Sequence, residues 1–412
     1  MSELMVALVQ ASEKAANIAR SCRQEEALFS LLIEEKKSGS RRATADFKTL
    51  ADVLVQEVIK HDIGKRFPGL ENNIFGEETN EFMNGLGEHI QVMVCEREED
   101  TARLLSKVLD GNMQAAEALA SAAHQDIIIP DLHTGSISIP IHNLGVWVDP
   151  IDSTFQYIKG INNCVPEDSI YSRGLQCVTV LIGAYDLHTG EPVMGVINQP
   201  FALMDDSKRW QGRFFWGISN GPHSISSMSP TTDLPPSSRR VADHALPPHP
   251  HPHSTDPTGS PPGEVEVVVP PQPTCRLSAV LSTREVKPVK ALLQDCCSGG
   301  VYYASGAGYK ALCVVLGLVD VYVFTEDSTY KWDSCGPHAL LRAMGGGMAD
   351  LKECLRQRKA GGLEAERPEL MYHLPIEEAS GVDRWANRDG LVAYRSRADL
   401  ETVLQLLTRI EL

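Results

Sequence analysis

Nowhere along this chain does an apolar run approach the roughly 20 residues that a membrane-spanning helix needs, so membrane insertion is not expected. Charge enters early, at Glu3, Glu13 and Lys14, and the opening stretch is expected to form an amphipathic helix, not a secretory signal. A basic excess is missing as well. With 38 Lys and Arg against 54 Asp and Glu, the formal charge is −16, and a phosphate backbone or an acidic bilayer would be repelled by most of the surface. Nucleic acid is therefore not an expected partner. A phosphorylated small molecule would need a local cationic device such as a bound metal ion. Paired cysteine spacing is also absent: the ten cysteines include no CxxC, and the adjacent Cys296 and Cys297 suit neither a disulfide framework nor a paired zinc site. Reduced thiols in a cytoplasmic protein are the simpler expectation.

Several phosphate-handling chemistries lack their motifs. A cysteine nucleophile needs arginine six positions on; Cys335 comes nearest, but Leu341 stands there and Arg342 is one too far. An aspartyl nucleophile of the DxD type is not matched by Asp149 and Asp152, which are spaced DxxD. No GxxxxGK[ST] loop occurs, and GAGYKA at residues 306–311 lacks the third glycine of a dinucleotide fingerprint.

What is present is a chain of 412 residues with 42% hydrophobic content, enough for one large or two ordinary domains with a substantial core. Apolar spacing predicts one or two helices over Met5 to Lys37 and helices over Asp52 to Ile59 and Ala102 to Ala123. Strand-like runs follow at Val146 to Val148, Leu175 to Tyr185, Val193 to Ile197 and Arg213 to Trp216, with His188-Thr189-Gly190 as a hairpin signal. Residues 221–274 contain PPSSRR, PPHPHPH and VVVPPQP, a composition too poor in buriable surface to offset its ordering entropy. We expect a disordered Pro/Ser/His-rich insertion there, separating an α+β half, residues 1–220, from an α/β half, residues 275–412. In the latter, strands at Leu277 to Leu281 and Asp320 to Phe324 alternate with helices at Val286 to Cys297, Ala307 to Leu318 and Cys335 to Met344. The fold class expected is α/β.

Four acidic clusters stand where elements begin or end. Asp149-Pro150-Ile151-Asp152-Ser153-Thr154 follows the strand GVWV; proline keeps the chain out of helix, and Ser153-Thr154 can open a new turn. Asp149, Asp152 and the Ile151 carbonyl between them could face one small volume. Glu77-Glu78 ends the short run Asn73 to Phe75, Asp52 follows Thr49 at helix spacing, and Asp333 sits in Trp332-Asp333-Ser334. Each has an ordinary explanation: Asp152 and Asp333 as helix caps, Asp149 as a turn acid, Thr49 with Asp52 as a capping box, Glu77 and Glu78 as a solvated edge. Together they offer hard oxygen ligands from separate segments, which is what magnesium takes.

In their order (an aspartate, a glutamate pair, DPxD[GS]T, then WD) these segments resemble the lithium-inhibited, metal-dependent phosphomonoesterases of the inositol monophosphatase superfamily. DPIDST with Ser153, followed by FQYIKG, FKTLADVLVQEVI, GAGYK, KWDSC and VDRWAN is similar to the branch acting on the 1-phosphate of inositol polyphosphates. The resemblance covers the chain outside the insertion. It implies a layered αβαβα sandwich of the inositol monophosphatase/fructose-bisphosphatase type, with the site at the junction of its halves. It implies two or three Mg2+ held by Asp52, Glu77, Asp149, the Ile151 carbonyl, Asp152 and Asp333, with Glu78 beside them, and Li+ as inhibitor. A metal-activated water would attack in line, with Thr154 and Asp52 taking up its proton.

The same resemblance assigns Ser153 and Thr154 to the 1-phosphate, counts Asp152 among the substrate contacts, and places Gly306, Ala307 and Lys310 around the ring and the remote phosphate with Ser328 nearby. Lys310 read alone is an ordinary solvated lysine. After Ser282-Thr283 the resemblance leads us to expect a serine and a lysine where Arg284 and Val286 stand; Arg284 is the candidate to replace that cation. The expected substrates are inositol 1,4-bisphosphate and inositol 1,3,4-trisphosphate. A relative acting on a nucleotide 3′-phosphate or another sugar phosphate is the alternative enzyme. A silent relative that offers its proline-rich stretch to an aromatic groove is the non-enzymatic alternative. Oligomeric state is left open, with monomer the working expectation.

Overall fold

The computed structural model describes residues 3–24, 33–35, 47–130, 132, 137, 139–228, 275–360 and 368–411. Chain order begins with α1 (Glu3–Gln24), α2 (Leu50–Arg66), β1 (Ile74–Gly76), α3 (Glu98–Val108), α4 (Met113–His124), β2 (Leu144–Asp152) and α5 (Thr154–Lys159). It continues with β3 (Thr179–Asp186), β4 (Pro192–Met204), β5 (Trp210–Ile218) and β6 (Ile225–Ser226). After residue 275 come β7 (Ala279–Leu281), α6 (Lys287–Cys296), β8 (Val301–Tyr303), α7 (Ala307–Val315), β9 (Val321–Phe324) and α8 (Lys331–Ala343). The chain closes with β10 (Gly347–Asp350), α9 (Leu351–Lys359), β11 (Leu391–Tyr394) and α10 (Arg397–Leu407).

In the first sheet spatial order follows chain order, β6-β5-β4-β3-β2-β1. Neighbours are antiparallel except β1 and β2, paired in parallel with Ile74 opposite Val146. The second sheet runs β8-β7-β9-β11-β10, parallel through β8, β7 and β9 and antiparallel through β11. Side chains alternate across a strand, and the layers follow from that alternation. Val146, Val148, Val180 and Ile182 join a core with α1 and α2. Trp147, Leu181 and Tyr185 turn the other way, onto Leu312 and Val315 of α7 and Cys335 and Leu340 of α8. From the far side Val280, Tyr322 and Ala393 of the second sheet reach the same middle core, while Leu281, Val323 and Val392 pack on Leu293 of α6, Leu355 of α9 and Leu404 of α10. The result is an αβαβα sandwich. Both faces of β2 and β3 are covered, which is why their sequences read as nearly continuous apolar runs.

Helix α8 lies unusually close to the first sheet. A Cβ at Gly183 would stand 2.3 Å from the Gly336 nitrogen, and one at Gly195 only 1.9 Å from its carbonyl oxygen. Three glycines therefore set the depth of the helix that carries Asp333.

Three expectations need correction. The first helix ends at Gln24, and Ile33–Glu35 is extended because it pairs with Phe47–Thr49; pairing overrides local helical spacing. Residues 102–123 are two helices, broken where Asp110 and Gly111 take positive φ and Asn112 caps α4. The insertion expected from residue 221 starts too early: Gly221–His223 forms a 3-10 turn, and β6 adds to the sheet edge with Ile225 opposite Ile218. The rest of that expectation, residues 229–274, lies outside the described residues. Among the described residues no helix is long and apolar enough to cross a membrane.

Candidate metal centre

The site grows from an irregularity at the end of β2. Asp149 pairs with Leu181 and Asp152 with Thr179, so three steps along β2 match two along β3. In a regular strand, positions three apart face opposite sides of the sheet. The extra residue is a bulge that re-aims side chains, and Pro150 fits there because it has no amide hydrogen to lose from the ladder. With Asp333, the two acids then converge: Asp149, Asp152 and Asp333 each offer a carboxylate oxygen within 4.8 Å of the others.

Asp52 and Asp333 each cap a helix as well as facing this region. The Thr49 amide donates to Asp52 Oδ2 at 2.7 Å, and the Tyr330 amide donates to Asp333 Oδ2 at 2.6 Å. A carboxylate at the third helical position is favoured there by the free amides and the helix dipole. The capping reading and the site reading are therefore compatible, because capping occupies Oδ2. Oδ1 of Asp52 receives the Thr154 hydroxyl at 3.3 Å, and that hydroxyl also lies 3.1 Å from the Ile151 carbonyl oxygen. Asp52 is thus tied to the DPIDST turn.

Glu77 and Glu78 leave β1 beside β2. The Glu77 amide donates to the Val148 carbonyl at 3.2 Å. The fully buried Gln56 of α2 clamps the next residue, its side-chain amide donating to the Glu78 carbonyl and its oxygen accepting the Glu78 amide at 2.9 Å. Glu78 is buried, so the solvated-edge reading fails for it.

Asp152 ties the first sheet to the start of α7. It accepts from the Thr179 hydroxyl at 3.0 Å and from the amides of Ala307 and Gly308 at 3.2 and 2.8 Å. Gly306, at the turn into α7, has φ +79°, and a Cβ there would stand 2.7 Å from the Cys177 carbonyl oxygen and 2.9 Å from Asp152 Oδ2. Lys310 is not the solvated lysine of the plain sequence reading. It is buried, donates to the Gly306 carbonyl at 2.7 Å and lies 5.1 Å from the Tyr322 ring centre. Ser153 bends the chain in the left-handed region, φ 72°, and its carbonyl accepts the Gln156 amide at 2.8 Å. Arg284 and Ser328 lie on the loops after β7 and β9, Arg284 exposed and Ser328 half-buried. Those loops and the Gly306 turn leave the carboxyl ends of parallel neighbours, the usual ligand-facing edge of such a sheet. Glu285 joins two of them by accepting the Thr325 amide at 3.1 Å.

The electrostatics follow from this crowding. Burial first, then Glu77, Asp152, Asp333 and Asp52, hold the Asp149 carboxyl well above the usual carboxylate range. Asp152 is also raised, by burial, against the opposing pull of Lys310 and its hydrogen-bond donors. Burial in turn lowers the Lys310 ammonium. Oδ1 of Asp149 is buried with no hydrogen-bond donor among the described residues. A buried carboxylate oxygen without a donor and ringed by acids is costly unless a proton or a cation sits beside it. The all-oxygen donor set is what a hard divalent ion takes, so the residues fit a metal. Reading the sequence missed Gln56, Thr179 and Gly308; only Gln56 carried a signal, a polar residue within the apolar pattern DVLVQEVI.

A family model described as the inositol monophosphatase family matches residues 80–256 and 262–393, which include Asp149, Asp152 and Asp333. The chain is 53% identical to the inositol polyphosphate 1-phosphatase of Homo sapiens, across 99% of this chain and 98% of that protein. It is 52% identical to the Bos taurus protein of the same name, across 99% and 97%. The 3′(2′),5′-bisphosphate nucleotidase 1 of Mus musculus is 24% identical across 81% of this chain and 84% of its own. Among solved structures, the extragenic suppressor protein suhB of Bartonella henselae covers 99% of each chain with a TM-score of 0.50 at 15% identity, a likeness of fold.

Proposed function

The chain belongs to the inositol monophosphatase family, and from that premise we propose that it removes the 1-phosphate of inositol 1,4-bisphosphate and inositol 1,3,4-trisphosphate, using magnesium and inhibited by lithium. The observation that carries the chemistry is the convergence of Asp149, Asp152 and Asp333 around a buried carboxylate oxygen with no donor. The substrate reading is supported by 53% identity to an inositol polyphosphate 1-phosphatase over 99% of the chain.

In this reading Asp52, Glu77, Asp149, the Ile151 carbonyl, Asp152 and Asp333 hold the metal, with Glu78 beside them. Bound divalent ions supply charge neutralisation for the transferring phosphoryl group and acidify water near neutral pH. The remaining work belongs to the chain. Thr154, whose hydroxyl donates toward Asp52 Oδ1, passes its proton to that carboxylate as it takes one from the attacking water. Ser153 and Thr154 face the 1-phosphate, and Asp152 orients the leaving oxygen. The ring and the remote phosphate meet Gly306, Ala307 and Ser328, with the buried Lys310 and the exposed Arg284 as the cations on that side. No side chain is needed as a nucleophile, so the reaction requires no phosphoenzyme.

The test is phosphate release from inositol 1,4-bisphosphate and adenosine 3′,5′-bisphosphate, each with Mg2+, without metal, and with added Li+. The expected result is metal-dependent, lithium-suppressed release from the inositol compound. Turnover of the nucleotide alone would replace this substrate assignment with a nucleotidase. No turnover of either would remove the catalytic reading.

A further inference from the structure

We infer that Asn387, far from the acidic motifs in sequence, is a positioning residue that sets the Asp333 carboxylate by holding the first turn of α8. The inference rests on the metal-holding role proposed for Asp333.

The 3-10 turn Gly381–Trp385 and the two residues after it lie across the start of α8. Tyr330 and Ala386 pair as an isolated antiparallel bridge, and the Asn387 amide donates to the Thr329 carbonyl at 2.8 Å. The Asn387 side chain is buried, with Nδ2 3.0 Å from the Tyr330 carbonyl oxygen, 3.2 Å from Ser334 Oγ and 3.3 Å from Thr329 Oγ1. A carbonyl can only accept, so the Tyr330 contact decides which end of the amide points inward. The partner of that carbonyl across the same residue is decisive. The Tyr330 amide hydrogen is the donor to Asp333 Oδ2, at 2.6 Å. One residue is thus gripped from behind by Asn387 and grips the acid in front.

The same segment also reaches the other acid-bearing strand. The Trp385 ring meets Trp147 edge-on with centres 4.9 Å apart, and Trp147 precedes Asp149 by two positions on β2. Lys331 Nζ lies 5.4 Å from the Trp385 ring centre. The hydrogen-bond partners found for Asn387 include no carboxylate, so it acts through Tyr330 and not on the reacting atoms. Groups that orient a metal ligand from behind typically change metal affinity by about 10–100-fold when removed.

The test uses the full chain and reads Mn2+ binding from the loss of free-ion paramagnetic resonance, alongside the Mg2+ dependence of turnover. Asn387→Ala removes the donor without adding charge; Asn387→Asp keeps the size but turns an acceptor toward the Tyr330 carbonyl. Both are expected to weaken Mn2+ binding by about 10–100-fold and to raise half-saturating Mg2+ in parallel, with a smaller change in KM for the substrate. As a control for mere destabilisation, Asn198→Ala removes another buried amide, on β4 of the first sheet and bonded to Ser12 and Glu13 of α1. It should lower Tm without changing the Mn2+ Kd. A folded Asn387→Ala with wild-type Mn2+ affinity overturns the inference, as does an equal loss in Asn198→Ala. Should Asn387→Asp fail to fold, Asn387→Ala decides alone. Asp149→Asn separates the two levels: if it too binds Mn2+ as wild type does, the metal reading fails and not merely the role of Asn387.

Discussion

The Thr154 hydroxyl and Oδ1 of Asp52 stand 3.3 Å apart although 102 positions separate them in sequence. The contact places a proton acceptor directly behind a hydroxyl at the turn out of β2. Thr154→Ala should lower kcat by about 10²–10⁴-fold, the usual worth of positioned proton transfer, with Mn2+ affinity nearly unchanged. Thr154→Ser should stay within about tenfold of wild type, because the hydroxyl survives. Steady-state kinetics on inositol 1,4-bisphosphate check this, and a Thr154→Ala enzyme within twofold of wild type would count against the relay.

Crowded acids make the metal-free protein less stable than the loaded one. Ligand linkage gives about 2.7 kcal/mol when a metal is present at 100 times its Kd. Added Mg2+ should therefore raise Tm, and chelation should reverse the rise and abolish turnover. Asp149→Asn removes the acid that burial and four neighbours hold above its ordinary range; it should melt higher than wild type in chelator and gain little from Mg2+. Calorimetry in both conditions reads all of these outcomes.

Gly306 has neither the backbone freedom to spare nor the room for a larger residue. At φ +79°, with a prospective Cβ 2.7 Å from the Cys177 carbonyl oxygen and 2.9 Å from Asp152 Oδ2, Gly306→Ala should cost about 1–3 kcal/mol. Its effect should extend to turnover, since the turn carries the Ala307 and Gly308 amides that hold Asp152. Denaturant unfolding and kcat/KM measured on one preparation test both.

The pH dependence of stability has an independent handle at Asp350, which caps α9 by accepting the Glu353 amide at 2.9 Å. Burial, with Asp389 and Glu353 nearby, raises its carboxyl to about 6. A folded-state value above the unfolded one means that its contribution is fully present below about pH 4 and is lost as pH rises through 6. Asp350→Asn keeps the cap and removes the buried charge. It should flatten that part of the profile and stabilise the protein at neutral pH by on the order of 1 kcal/mol, discounted for partial exposure. Urea unfolding at pH 4, 5, 6 and 7 shows whether the two curves diverge with that sign.

Much of the site was legible because its acids sit in short motifs at element ends: DPIDST after GVWV, Glu77-Glu78, and Asp333 in the first turn of α8. Period-2 reasoning alone would have pointed Asp149 and Asp152 to opposite faces; the bulge that unites them depends on pairing with β3 and has no local spelling. Gln56, Thr179, Gly308 and Asn387 were missed for a related reason. They act through backbone amides, carbonyls and hydrogen bonds that exist only once distant strands and helices meet. Taken alone Lys310 reads as solvated, because helical spacing does not reveal that α7 is covered on both sides by sheets; only the resemblance points it to a site. The edge strand Ile225–Ser226 lay inside a stretch whose composition turns proline-rich only further along.

The central claim is that separate acids meet around divalent metal, and anomalous diffraction from crystals grown with Mn2+ tests it most directly. The account predicts manganese peaks within coordination distance of Asp149, Asp152 and Asp333, lost in Asp149→Asn crystals. An active enzyme whose crystals show no manganese beside those three carboxylates would contradict it.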